Sequence, residues 1–291
     1  MRYAIKAMLT IGLVSTGASA SEISHYKFDS ETLGAPYPYT LYTPDGFTKS
    51  DKRYPVMYLL HGSFGNENDW ASKGSLQETA DTLIERGKIP PALIVMPGSQ
   101  SWWVDGHNEP AATAFINDLL PHIESTWPVI SDREGRVIGG LSAGGYGTIN
   151  FVFQHPDMFA AGAALSPAVY TPLPPKHSSA WSHPAYLDEE GNFSEELWKD
   201  LNYTSYIDDY LAGEEIVPLY INSGDHDTFD IAYHATELYQ TLREHQPNQV
   251  ELRIVDGDHE WSVWEDTLPE AMEYVFRFAS RPLGAMPEEG Q

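Results

Sequence analysis

The chain has 291 residues, no cysteine, and 42 acidic against 17 basic residues, a formal net charge of −25. Disulfides, thiolate catalysis and cysteine–zinc sites are thereby excluded, and so acidic a surface disfavours nucleic acid and anionic membranes as partners. A hydrophobic fraction of 42% with 12% aromatic residues is that of a globular protein, and the length suits one large α/β domain.

The elements follow in chain order. Residues 1–20 predict a secretory signal peptide, with Arg2 and Lys6 as a basic start and Ala18-Ser19-Ala20 as the cleavage site. The apolar stretch between them is too short to span a bilayer. Cleavage after Ala20 would deliver the protein to a periplasm or the medium. Residues 21–280 then form a single domain, and residues 281–291 a loose polar tail. Residues 23–28 and 37–42 read as an antiparallel strand pair, and residues 54–60 as a buried strand entering a loop at His61-Gly62. A helix over 75–86 and a strand over 92–96 come next, then a helix over 111–126 whose apolar residues recur at helical spacing. Strand 136–141, helix 143–154 and strand 159–165 follow. Residues 167–213, rich in proline, tryptophan and tyrosine without clean periodicity, read as a lid-like insertion. Regular order returns with strand 217–222, helix 231–245, strand 250–255 and helix 262–278. Strands alternating with helices imply a mostly parallel sheet covered on both faces, with the insertion before the acid-bearing strand.

Gly140-Leu141-Ser142-Ala143-Gly144 joins a strand to a helix in the G-x-S-x-G pattern of a nucleophile elbow. Serine on so sharp a turn needs small neighbours, and the helix that follows aims free N–H groups at the site. A serine hydroxyl also needs a base, and the base a buried carboxylate; in this architecture they follow in the order Ser, acid, His. His259, in the loop after the last strand, fits the base. Asp227 fits the acid, with Asp225 as the alternative. His61 precedes the elbow and is expected to shape its loop. His226 suggests a metal, but no second cluster has ligand spacing, so neither metal nor cofactor is expected. The amides of Ser63 and Ala143 are the natural oxyanion donors. Loops carrying His61, Ser142, Asp225–Asp227 and His259 all follow strands and so converge on the sheet's carboxyl edge, where such sheets bind ligands.

Leu60-His-Gly-Ser63 with Asn68-Asp-Trp70, Asp118-Leu-Leu-Pro-His-Ile-Glu124, the elbow, Gly224-Asp-His-Asp227 and Gly257-Asp-His-Glu-Trp261 with Trp264 resemble the esterase D family of α/β-hydrolases. The family includes feruloyl and acetyl carbohydrate esterases, S-formylglutathione hydrolases, enterochelin-type esterases and mycolyltransferases. The resemblance implies the α/β-hydrolase fold, Ser142 as nucleophile, Asp227 as acid, His259 as base and the Ser63 and Ala143 amides as oxyanion hole. It implies a small-molecule or carbohydrate ester as substrate, with Trp102, Trp103 and Trp261 as candidate substrate contacts; packing of the sheet edge is the equal alternative for Trp102 and Trp103. Tyr170, Trp181 and Tyr186 are candidates for a lid wall, with packing inside the insertion the favoured reading of each. An exported carbohydrate esterase fits best. An exported acyltransferase of mycolyltransferase type and an S-formylglutathione hydrolase-like thioesterase are the alternatives, and a non-catalytic binding module is a third.

Overall fold

A computed structural model describes residues 20–47 and 52–284. The predicted signal peptide lies outside the described residues, apart from Ala20. The strands are β1 (Glu22–Ser30), β2 (Ala35–Thr43), β3 (Lys52–Arg53), β4 (Val56–Leu60), β5 (Leu93–Pro97), β6 (Arg136–Leu141), β7 (Ala161–Leu165), β8 (Leu219–Gly224), β9 (Val250–Val255) and β10 (Leu283–Gly284). Eight of them form one sheet in the order β1-β2-β5-β4-β6-β7-β8-β9. From β5 to β9 the pairings are parallel; β1 and β2 add an antiparallel hairpin at one edge.

The central strands are buried on both faces, which is why they read as unbroken apolar runs. Alternate residues of β4 enter different cores. Val56, Tyr58 and Leu60 join one, and Met57 and Leu59 the other. Helices Ala143–Gln154 and Ile231–His245 cover the first face. Helices Leu76–Glu85 and Trp261–Phe276 cover the second. Each fully buried aliphatic side chain contributes roughly 1.5–3 kcal/mol. Among the described residues no helix is long and apolar enough to cross a membrane.

Two local features depart from the sequence expectations. The stretch expected as one helix over 111–126 contains a π-helical turn, Phe115–Leu119, between Ala111–Ala114 and Leu120–Thr126. Pro121 has no N–H to return to the preceding turn, and the wider turn takes up that gap. The last helix runs through Pro269, as the expected span over 262–278 requires. The start of the expected loose tail is paired instead, β10 lying antiparallel to β3; residues 285–291 lie outside the described residues.

The segment 167–213 folds as short turns and two short helices, Glu195–Leu201 and Ile207–Ala212. It is not a detached flap, because Tyr170, Tyr186 and Trp198 are buried in the first core. Trp181 is half-buried, under the Lys176 ammonium at 3.4 Å and beside Phe193.

Candidate active site

At the end of β6 the chain turns through Ser142 with φ 53° and ψ −115° and enters the helix at Ala143. A positive φ at a non-glycine residue is strained and persists only where its surroundings enforce it. Here the two flanking glycines permit it. A Cβ on Gly140 would lie 2.6 Å from the Gly144 carbonyl, and one on Gly144 would lie 2.4 Å from the Leu60 oxygen. The glycines thus let the elbow sit against β4. The turn is tied to β7 by the Ser142 N–H, which donates to the Leu165 carbonyl at 2.9 Å.

Three loops bring the remaining groups to this point. His259 Nε2 lies 2.9 Å from Ser142 Oγ, and His259 Nδ1 lies 2.8 Å from Asp227 Oδ2. The carboxylate accepts, so Nδ1 carries the proton and Nε2 presents its lone pair to the serine hydroxyl. Asp227 is buried, and its second oxygen accepts the Phe229 N–H at 2.9 Å. Phe229 and Trp264 meet the His259 ring nearly perpendicularly, at centroid separations of 4.8 and 5.0 Å. The relay is therefore fixed by hydrogen bonds along its length and aromatic rings across it.

Asp225 turns outward. It accepts the Gly257 N–H at 3.1 Å, which chiefly holds its carboxyl below the ordinary value, and pairs with His226. Among the described residues it makes no hydrogen bond to His259, so the alternative acid is not in position. Asp225, His226 and Asp256 form an exposed grouping with ligand atoms within 4.8 Å of one another, outside the relay.

Trp102 and Trp103 correct an expectation. Both are 1% exposed and offer no face to a ligand. Their indole N–H groups hold the loop after β4: Trp103 donates to the His61 carbonyl at 3.0 Å and Trp102 to Ser63 Oγ at 2.9 Å. Trp70, also buried, donates to the Leu60 carbonyl at 3.0 Å. His61 completes the clamp. Its Nε2 accepts the Ser99 N–H at 3.1 Å, so Nδ1 donates to the Gly62 carbonyl at 2.7 Å. Burial lowers its pKa and keeps the ring neutral. Among the described residues, neither the Ser63 N–H nor the Ala143 N–H has a hydrogen-bond acceptor.

These groups face a cavity of about 290 Å³ that Ser142, His259, Phe64, Asp69, Phe229 and Trp261 help to line. Trp261 does reach it, packed edge-on against Trp70 and Trp264. Phe64, at φ 55° and 70% exposed, stands at the rim. Sequence reasoning missed Asp258, the residue that joins the acid and base loops. One of its oxygens accepts the N–H groups of Thr228 and His259 at 2.6 and 2.7 Å, and the Thr228 hydroxyl at 2.7 Å. The Thr228 hydroxyl is the first cause of its lowered pKa. The only signal was its place beside the histidine, where an acid looks like solvated surface.

A mostly parallel sheet, an elbow serine after its central strand and an acid–histidine pair after its last strands define an α/β-hydrolase. A model of the family described as "Putative esterase" matches residues 30–275, and the chain belongs to that family. It is 32% identical over 160 residues to an endo-1,4-beta-xylanase/feruloyl esterase of Xylanibacter ruminicola, covering 52% of this chain but 22% of that protein. It is 24% identical over 227 residues to an acetyl esterase of Caldicellulosiruptor saccharolyticus, covering 76% of this chain and 82% of that one. A solved ferulic acid esterase superposes with a TM-score of 0.76 at 28% identity, over 89% of this chain and 99% of that one.

Proposed function

We propose that this chain is an exported serine carboxylesterase that cleaves acetyl or feruloyl-type esters of carbohydrates. The observation that carries the reading is the continuous relay Asp227–His259–Ser142, with links of 2.8 and 2.9 Å. Ser142 Oγ attacks the ester carbonyl as His259 Nε2 takes its proton. Asp227 stabilises the imidazolium that forms. The Ser63 and Ala143 amides, without an acceptor among the described residues, receive the developing oxyanion at the N-terminus of the elbow helix. His259 returns the proton to the leaving alkoxide. It then activates water, which releases the acid from Ser142.

The names of the relatives support the substrate class, although the chain spans only 22% of the xylanase/feruloyl esterase. A cavity of about 290 Å³ suits a short or aromatic acyl group better than a long chain, which favours hydrolysis of small esters over mycolyl transfer. The basic, apolar and small-residue sequence of residues 1–20 supports export. The test is an ester panel of p-nitrophenyl acetate, methyl ferulate, acetylated xylan and S-formylglutathione, with wild-type and Ser142→Ala protein. Ser142→Ala is expected to lower turnover by about 10⁴-fold or more. Near-full activity in that variant would sink the serine mechanism, and preference for S-formylglutathione would move the substrate to the thioester class.

A further inference from the structure

We propose that Asp69, with Lys73 beside it, is a specificity-determining pair that binds a substrate hydroxyl flanked by a second oxygen on the neighbouring carbon. The inference rests on the esterase reading and names what the same cavity selects.

Asp69 lines the cavity with Ser142 and His259, yet the residue is only 6% exposed. Its Oδ1 is occupied, by Lys73 Nζ at 3.0 Å and by Asn66 Nδ2 at 3.3 Å. Among the described residues no hydrogen bond reaches its Oδ2. A carboxylate so deeply set is costly without a full set of donors. Gly65 keeps that oxygen uncovered, because a Cβ there would fall 2.7 Å from Oδ2. The free oxygen thus meets the cavity through a gap that a missing side chain leaves.

A carboxylate oxygen can only accept, so its partner is a donor, and a hydroxyl is the donor an ester substrate carries. Lys73 can use a second ammonium hydrogen on an oxygen next to that hydroxyl. Its Nζ lies 5.7 Å from the centroid of the Trp261 ring, which borders the same space and can lie along an aromatic or sugar ring. Two sources carry the matching oxygen pair: the phenol and ortho-methoxy of a ferulate-type acyl group, and the vicinal diol of a sugar alcohol.

The experiment reads a ratio. Turnover of methyl ferulate is compared with methyl cinnamate, and of methyl 2-O-acetyl-xyloside with cyclohexyl acetate. In Asp69→Leu the kcat/KM ratio of the oxygenated ester to its plain partner should fall by about 10–100-fold, the span of a hydrogen bond to a charged group. A fall in the first pair assigns the phenol, and a fall in the second assigns the sugar. Lys73→Met should lower the same ratio less. Asp69→Asn, which keeps the shape, replaces the leucine variant if that one fails to fold. All rates falling together, with both ratios held, would make Asp69 a merely structural residue and overturn the proposal. Equilibrium binding of ferulate and methyl xyloside to Ser142→Ala, with and without Asp69→Leu, reads the subsite without turnover. One of the two ligands should weaken by a similar factor, and unchanged affinity for both also overturns the proposal. A wild type that cleaves none of the four esters defeats the esterase reading alone, because the binding measurement still decides the subsite.

Discussion

The two flanks of the relay are built from different materials. On one flank the loop carrying Ser63 is gripped from inside the protein by the indoles of Trp70, Trp102 and Trp103, all about 1% exposed. On the other, the loops carrying Asp227 and His259 are tied to each other at the surface, through Asp258 and Thr228. Position on the first flank is a by-product of core packing. On the second it depends on a few hydrogen bonds that water can contest. Damage to the first should therefore appear as lost stability, and damage to the second as lost turnover.

The largest effect expected is on the first flank. Trp103→Ala removes a buried indole and its bond to the His61 carbonyl. It should cost about 3–5 kcal/mol, read as a lower midpoint in urea unfolding. If the loss is under about 1 kcal/mol, the clamp is not a stability element and the comparison fails. Asp258→Ala is the counterpart on the second flank. It should lower kcat by about tenfold through misplacement of His259, with little change in the unfolding midpoint. An equal fall in midpoint would erase the distinction between the flanks.

Acid sharpens the contrast with a smaller effect. His183 packs between Phe64 and Trp102 on the first flank, and burial pushes its pKa down to about 4. The unfolded chain holds that proton more tightly than the folded one. The stabilising contribution is therefore whole above about pH 6.5 and is lost as the pH falls toward about 4. His183→Asn, which can still accept the Ala185 N–H, should remove that dependence. The gap between wild-type and variant thermal midpoints should then narrow over the same interval, by about 2–4 °C. The Asp258 carboxyl moves in the same sense. Its hydrogen bonds hold its pKa below the ordinary carboxylate value, so the tie on the second flank is present above that value and opens only at lower pH. Parallel pH profiles for wild type and His183→Asn would show that His183 stays hydrated in the folded state.

What was legible in the sequence followed from rules that act locally. Gly140 and Gly144 mark the elbow because their missing side chains are needed within the motif itself. The order serine, acid, histidine follows from a parallel sheet that delivers each loop to one edge. It singled out His259, while the turn out of the strand at Gly224 favoured Asp227 over Asp225, and the structure places His259 and Asp227 in contact. Trp102 and Trp103 were not legible. A tryptophan after a strand reads the same whether its face meets a ligand or its N–H meets a carbonyl across the core, and only the fold decides. Asp69 is legible as part of the Asn68-Asp-Trp70 motif but not as a cavity carboxylate: at the start of a short helix an acid looks like a favourable first-turn charge, and its depth depends on Gly65 and the cavity floor. The turn at Phe115–Leu119 stayed hidden because hydrophobic spacing hardly differs between a regular helix and one holding a single wider turn.

The clamp on the Ser63 loop also says where inheritance can act. The amide groups that face the cavity belong to the main chain and carry nothing a codon can change. What genes can vary is the set of tryptophans that fix where those amides point. Over generations, adjustment of this part of the site has to be written in Trp70, Trp102 and Trp103, in residues that never meet what the cavity holds.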